Sequence, residues 1–332
     1  MSKILKMRES DMSWQEPVLE ALPPEIQDMV RRLPLSLRQG LEEIQIRENR
    51  PFMVYGHGRD YFVCEDGSIC AHADQAYHIS QDDTRKILQL ISDYSIYAFD
   101  EEIRNGYLTL KGGHRVGMAG KIVLDNGSIR TMKYINSFNI RISREVIGAA
   151  DKVMPFLITD KDICHTLVLS PPQMGKTTLL RDIARKISDG FHGFTGRKVG
   201  IVDERSEIAG CLHGLPQRKV GIRTDVLDSC PKAAGIMMMI RSMSPKVILT
   251  DEIGKEEDAA AIQETLNAGI KIITSAHAAN LEDACNRLFL SRLLKTRIFD
   301  RIAVLGDSLG VGTLEQVYAG KDYKQLLCRP VR

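Results

Sequence analysis

Ser170-Pro171-Pro172-Gln173-Met174-Gly175-Lys176-Thr177-Thr178-Leu179-Leu180-Arg181-Asp182 lies between the apolar run Thr166-Leu167-Val168-Leu169 and helix-forming residues at 176–188. A buried strand, a tight turn and a helix start, in that order, aim backbone N–H groups and the positive end of a helix at one point, which suits a polyphosphate. Gly175-Lys176-Thr177 matches the second half of the pattern G-x-x-x-x-G-K-S/T, in which the lysine reaches the β- and γ-phosphates and the hydroxyl coordinates Mg²⁺. The nine residues from Ser170 to Thr178 are therefore the candidate phosphate-binding set, Lys176 is also a catalytic candidate, and ATP with Mg²⁺ is the expected ligand. One position departs from the pattern, because Ser170 stands where it has glycine. Glycine tolerates positive φ, so a serine there must find a permitted turn geometry or strain the loop, and strain would lower affinity or turnover.

Working outward, short apolar runs recur at 167–169, 199–202, 247–250, 270–275 and 302–305, mostly with helical segments between them. Such runs suit parallel strands buried on both faces, and ligands in such sheets sit at the carboxyl ends of the strands. Two runs end there in adjacent acids: Lys246-Val247-Ile248-Leu249-Thr250-Asp251-Glu252 and Val199-Gly200-Ile201-Val202-Asp203-Glu204-Arg205-Ser206-Glu207. On pattern alone either could be the metal strand. A strand interposed between the phosphate-loop strand and an Asp-Glu strand is the layout of RecA-like ATP hydrolases. That order favours Asp251 as the Mg²⁺ ligand, held through water, and Glu252 as the base for the attacking water. Glu204 and Glu207 are left as further Mg²⁺ contacts. His277, in Ser275-Ala276-His277-Ala278, closes the run at 270–274, where it could bond the γ-phosphate or orient Glu252. Arginines that could neutralise the transferring phosphoryl group are Arg115 in GGHRVGMAG, Arg141 and Arg144 in NIRISRE, and Arg241 before the metal strand. The methionine-rich stretch 233–243 reads as core filling rather than a peptide-binding surface.

The first half has a different rhythm. A helix with proline near its first turn is expected at 24–33, strands within 44–63 around Gly56-His57-Gly58, a helix at 81–92, and strands at 106–110, 115–124 and 139–142. At 332 residues the chain has room for two domains. The expected division is an α+β N-terminal domain at 1–147, a linker at 148–161 and an α/β RecA-like P-loop ATPase core at 162–332, its mostly parallel sheet flanked by helices. Forty-five lysines and arginines against 43 acids leave a net charge of +2, which gives no global case for a nucleic-acid or anionic-membrane partner. No stretch reaches the roughly 20 apolar residues of a spanning helix. The opening MSKILKMRESDMSWQEP turns polar too soon for a secretory signal. A cytoplasmic location is the expectation, with docking on a membrane protein left open. Seven scattered cysteines without a C-x-x-C pair give neither a disulfide framework nor a thiolate zinc site.

Together these residues resemble the type II/type IV secretion ATPase superfamily. Arg241-Ser242-Met243-Ser244-Pro245-Lys246-Val247-Ile248-Leu249-Thr250-Asp251-Glu252-Ile253-Gly254 resembles its arginine-to-metal-strand signature, Ser275-Ala276-His277 its histidine box, and 203–207 its acidic box. SPPQMGKTTLLRDIAR, VGIVDERSEIAG, GGHRVGMAG and INSFNIRISRE resemble a sporulation branch of that superfamily, and the likeness runs from about Leu41 onward. The resemblance implies a RecA-like motor joined to an N-terminal domain and assembled as a homo-hexameric ring with nucleotide between the domains. It implies that Arg115, Arg141 and Arg144 close the N-terminal domain over that nucleotide. It further implies a sporulation channel between mother cell and forespore, reached on its mother-cell side through a small membrane protein and other channel components. Two alternatives stand beside it. A RecA-like ATPase acting on nucleic acid is opposed by the near-neutral charge and the aromatic content of 6%. A nucleotide-binding scaffold with vestigial hydrolysis is motivated by Ser170.

Overall fold

Period-two alternation of apolar residues builds the sheet of the first half, and helical spacing of apolar residues builds the helices around it. The computed structural model describes residues 14–92, 100–159 and 162–328, and the chain divides into two compact units, Met1–Arg144 and Glu145–Arg332. Residues 1–13, which carry most of the polar opening read against a secretory signal, lie outside the described residues.

In the first unit α1 (Gln15–Leu19), α2 (Pro24–Arg32) and α3 (Leu35–Gly40) lead into β1 (Leu41–Arg47), β2 (Met53–Gly56), β3 (Arg59–Val63) and β4 (Ile69–Cys70). α4 (Gln81–Ile91) and α5 (Asp100–Asn105) precede β5 (Tyr107–Leu110), β6 (His114–Asp125) and β7 (Ser128–Arg141). α2 starts on Pro24, whose missing N–H is no loss in a first turn, and buries Ile26, Met29 and Val30. α4 is started by a capping box in which Ser80 and Asp83 satisfy each other's backbone N–H groups. The seven strands form one antiparallel sheet in the order β4-β3-β2-β1-β7-β6-β5. β7 is much longer than the strand expected at 139–142. Its polar first half hides the alternation, yet Asn126 and Gly127 both take positive φ and close a two-residue hairpin onto β6. Among the described residues one local disulfide joins Cys64 to Cys70, with their Cα atoms 6.1 Å apart.

The second unit begins with α6 (Met154–Leu157) and the short pair β8 (Ile158–Thr159) and β9 (Asp162–Ile163). Ala150, Val153, Met154 and Leu157, within the stretch read as a linker, are buried in this unit's core. Residues 160–161 of that stretch lie outside the described residues. Then come β10 (Thr166–Ser170), α7 (Lys176–Asp189), the small hairpin β11 (Gly190–Phe191) and β12 (Phe194–Thr195), β13 (Val199–Asp203), β14 (Thr224–Asp228) and α8 (Lys232–Ser242). β15 (Val247–Glu252), α9 (Glu256–Asn267), β16 (Lys271–His277), α10 (Leu281–Asn286), α11 (Leu288–Lys295), β17 (Arg301–Gly306), β18 (Thr313–Ala319) and β19 (Gln325–Cys328) complete it. Eight strands form one sheet in the order β14-β13-β15-β16-β10-β17-β18-β19, parallel from β14 to β17 and antiparallel at β18 and β19.

Alternation along the central strands divides their side chains between two cores. Val168 of β10 packs with Leu180, Ile183 and Ile187 of α7, whereas Leu167 and Leu169 pack with α8, α9 and α11 through Ile236, Ile262 and Leu293. Every residue of β10 is buried, as expected for a strand covered on both faces. Core filling accounts for only part of the methionine-rich helix. Met239 is buried, but Met238 and Met243 are exposed.

Candidate functional site

Parallel pairing sets β10 beside β16 so that Ser170 lies opposite His277. Ser170 is fully buried as the last residue of β10. The left-handed positions of the following loop are Gln173 and Gly175, with φ of 62° and 79°. Ser170 therefore sits in ordinary backbone, and the loop pays no conformational penalty for lacking glycine there. Gly175 caps α7 without a side-chain hydrogen bond, and no acid occupies the helix's first turn. The opening N–H groups of α7, with the half-buried Thr177 and Thr178, thus face the loop with no carboxylate supplied by that turn.

Lys176, the first residue of α7, is 9% exposed. Its Nζ donates to Pro171 O at 3.1 Å, lies 3.3 Å from both Ser170 O and Ser170 Oγ, and is 2.7 Å from His277 Nδ1. These partners are all neutral. Burial pulls the Lys176 pKa below the ordinary lysine value, with the more distant charges of Glu252 and Glu207 acting the other way. An ammonium in this position is a cation awaiting an anion.

The link continues across the sheet. His277 Nε2 is 2.8 Å from Glu252 Oε2. An ammonium donating to Nδ1 makes Nε2 the protonated nitrogen, which then donates to the Glu252 carboxylate. The start of α7, β16 and β15 thereby present Lys176, His277 and Glu252 as one hydrogen-bonded row. Thr274 Oγ1 donates to Asp251 O at 2.8 Å and ties the end of β15 to β16.

The carboxylates divide by environment. Asp251, 9% exposed, accepts from Lys232 Nζ at 2.6 Å, and the same nitrogen is 2.6 Å from Glu204 Oε2. Burial raises the Asp251 pKa against the opposing pull of Lys232. Burial by itself would lower Lys232, but the two carboxylates outweigh it and hold that ammonium above its usual range. Lys232 carried no motif in the sequence; a lysine opening a helix after Pro231 gives no signal until β13 and β15 are side by side. Asp203 turns inward instead, accepting from Glu207 N at 2.9 Å and Ala209 N at 2.8 Å. Burial pushes its pKa up to about 6, although those backbone bonds pull it down. Glu207 stands on the loop held this way, and Arg181 of α7 donates to its carbonyl at 2.6 Å. Among the described residues no three His, Cys, Asp or Glu side chains converge as a metal cage. The Asp251 carboxylate and the Thr177 hydroxyl are oxygen donors of the kind Mg²⁺ takes, an ion that accepts one or two protein ligands and draws the others from water and phosphate.

Arg115, Arg141 and Arg144 belong to the first unit. Arg115 and Arg141 are directly opposed on β6 and β7, where like charges repel. Arg115 lies over the Tyr107 ring at 3.5 Å, Arg141 Nε is 3.6 Å from Glu43 Oε1, and Arg144 donates to Gln39 O at 2.9 Å. Arg241 is exposed in the last turn of α8. At 1.5 Å per residue it stands about 14 Å along the helix from Lys232, toward the amino ends of the strands. The fold of one chain does not bring it to the Asp251–Glu252 end of β15. Beside the loop lies a cavity of about 370 Å³ whose apolar lining includes Leu179, Leu305, Leu309, Val311 and Leu314. Gly312 of this wall lies next to the loop, since a Cβ on Gly175 would meet its Cα at an ordinary contact distance of 3.5 Å.

The fold has known counterparts. The ATPase DotB of Yersinia pseudotuberculosis matches with a TM-score of 0.53 at 15% identity, over 86% of this chain and 76% of that one. The pilus retraction motor PilT, solved with bound ADP, matches with a TM-score of 0.50 at 15% identity, over 80% of this chain and 74% of that one. At such identity the likeness establishes the fold, that of the RecA-like P-loop secretion ATPases. Stage III sporulation protein AA of Bacillus subtilis (strain 168) is 44% identical over 301 residues, spanning 91% of this chain and 94% of that protein. With residues 12–325 also matching the family described as sporulation stage III, protein AA, the chain belongs to that family.

Proposed function

We propose that the chain is a Mg²⁺-dependent ATP hydrolase that works as a homo-hexameric ring motor of a sporulation channel. The observation that carries this reading is the row Lys176–His277–Glu252, in which a buried cation without a carboxylate partner is wired through one imidazole to a carboxylate beside the metal strand. Lys176 and the N–H groups opening α7 bind the polyphosphate, and the residues from Ser170 to Thr178 shape its cradle. The cavity near Gly175, lined by Leu179 and Val311 together with Asp151, Lys152 and Thr313, gives room for the adenine. Thr177 and Asp251 would hold Mg²⁺, with Glu204 and Glu207 at its periphery; when bound, the ion neutralises charge on the phosphate oxygens.

Glu252 orients and deprotonates the attacking water. A γ-phosphate oxygen competes with His277 Nδ1 for the Lys176 ammonium. Losing that bond alters how His277 holds Glu252, so one residue reports phosphate occupancy to the base. Arg115, Arg141 and Arg144, from the same or a neighbouring copy, and Arg241, from a neighbouring copy, are the candidates for neutralising the transferring group. The family's place in sporulation supports a cytoplasmic station on the mother-cell side of a membrane channel, reached through a small membrane protein. Among the described residues no helix is long and apolar enough to cross a membrane.

Phosphate release by the purified chain, with mass in solution measured with and without a slowly hydrolysed ATP analogue, tests the reading. Turnover and a nucleotide-dependent hexamer are expected. A chain that ignores ATP overturns the reading.

A further inference from the structure

Lys232 is 5% exposed at the start of α8, and neither the phosphate cradle nor the His277 link uses it. Its ammonium joins two carboxylates from two different strand ends, Asp251 one residue before the end of β15 and Glu204 just past β13, each at 2.6 Å. The carboxylate assigned to Mg²⁺ thus already carries a cation. A lysine ammonium is a compact point charge, and a divalent ion brought to the same carboxylate repels it. A buried ammonium is costly without a partner. Glu204, about a third exposed at 34%, can follow Lys232, whereas the Asp251 carboxylate, at 12%, is held at the strand end.

Resting on the ATPase reading above, we propose that Lys232 is a built-in counter-ion of the metal carboxylates. It clamps Asp251 to Glu204 in the nucleotide-free chain and keeps Glu204 alone when Mg²⁺ arrives with nucleotide. Lys232 is a positioning residue, and its consequence is specificity. Asp251 does not capture a divalent cation by itself, so metal enters as the metal–nucleotide complex.

Mn²⁺ alone is the probe, titrated into the nucleotide-free full chain and followed by the loss of its free paramagnetic signal. Lys232→Gln should acquire an Mn²⁺ site that nucleotide-free wild type lacks, a gain in affinity of at least about tenfold over any wild-type binding. The gain should vanish in the Lys232→Gln/Asp251→Asn double variant, and Lys232→Arg should behave as wild type. No gain in folded Lys232→Gln overturns the proposal. Wild-type protein that binds Mn²⁺ at an Asp251-dependent site without nucleotide also overturns it, and that arm needs no Lys232 variant to fold. A fluorescent ATP analogue at saturating Mg²⁺ completes the set. Loss of its binding in Lys232→Gln makes Lys232 a phosphate ligand and overturns the proposal, whereas absence of binding by wild type defeats the ATPase reading and leaves the Mn²⁺ result to judge Lys232.

Discussion

β15 ends in Asp-Glu and β13 runs into one, and the structure gives the two aspartates opposite surroundings. Asp203 is fully buried and spends its carboxylate on the N–H groups of Glu207 and Ala209, bracing the loop that follows it. Asp251 meets an ammonium, and Glu252 meets His277. Sheet order makes the difference. β15 is separated from the phosphate-loop strand by β16 alone, whereas β13 stands one strand further away. The aspartate of one dipeptide is a loop brace, whereas the other dipeptide is a candidate metal-and-base pair.

The sharpest way to break that comparison is to remove one charge from each pair. Glu252→Gln should lower phosphate release by roughly 10²- to 10³-fold, while its counterpart Glu204→Gln costs less than about tenfold. Equal turnover in wild type and Glu252→Gln would refute the base assignment, and an equally severe Glu204→Gln would erase the distinction between the strands. Asp203→Ala leaves the buried Ala209 N–H and the partly buried Glu207 N–H without their acceptor, so chemical denaturation should show a loss of about 2–3 kcal/mol. A loss near zero would mean that Asp203 does not brace the loop. His277→Ala cuts the link between Lys176 and Glu252 and should slow turnover about tenfold, or 1.4 kcal/mol, with nucleotide still bound. Nucleotide titration beside phosphate release separates this from a lost binding contact. The smallest effect belongs to Ser170→Gly, which should cost about 0.5–1 kcal/mol in melting experiments through added backbone freedom. Its nucleotide affinity should match wild type; tighter binding would show that serine strains the loop after all.

The central strands of the second unit were legible because strands buried on both faces must be nearly continuous in apolar residues. β14, β18 and β19 were not. Thr224-Asp225-Val226-Leu227-Asp228 is an edge strand with one side partly open, so its composition resembles a loop. The first half of β7 was missed for a similar reason, since few of its side chains from Ser128 onward are buried, although Asn126-Gly127 marked the turn before it. Lys176, Asp251, Glu252 and His277 were legible as strand-end and loop residues. Their mutual contacts depend on strand order and register, which local pattern does not encode.

What the sequence determined by itself was local: the phosphate-loop turn, the helix that follows it, the buried strands, and the acids and histidine at their carboxyl ends. Each follows from backbone preference and from the periodicity of burial. Tertiary structure decided that Ser170 rests in unstrained backbone, that Asp203 turns inward while Glu204, Asp251 and Glu252 face the cluster, and that Lys232 joins Glu204 to Asp251. Those outcomes depend on which strands become neighbours and on which charges burial leaves together, a property of the assembled sheet rather than of any segment within it.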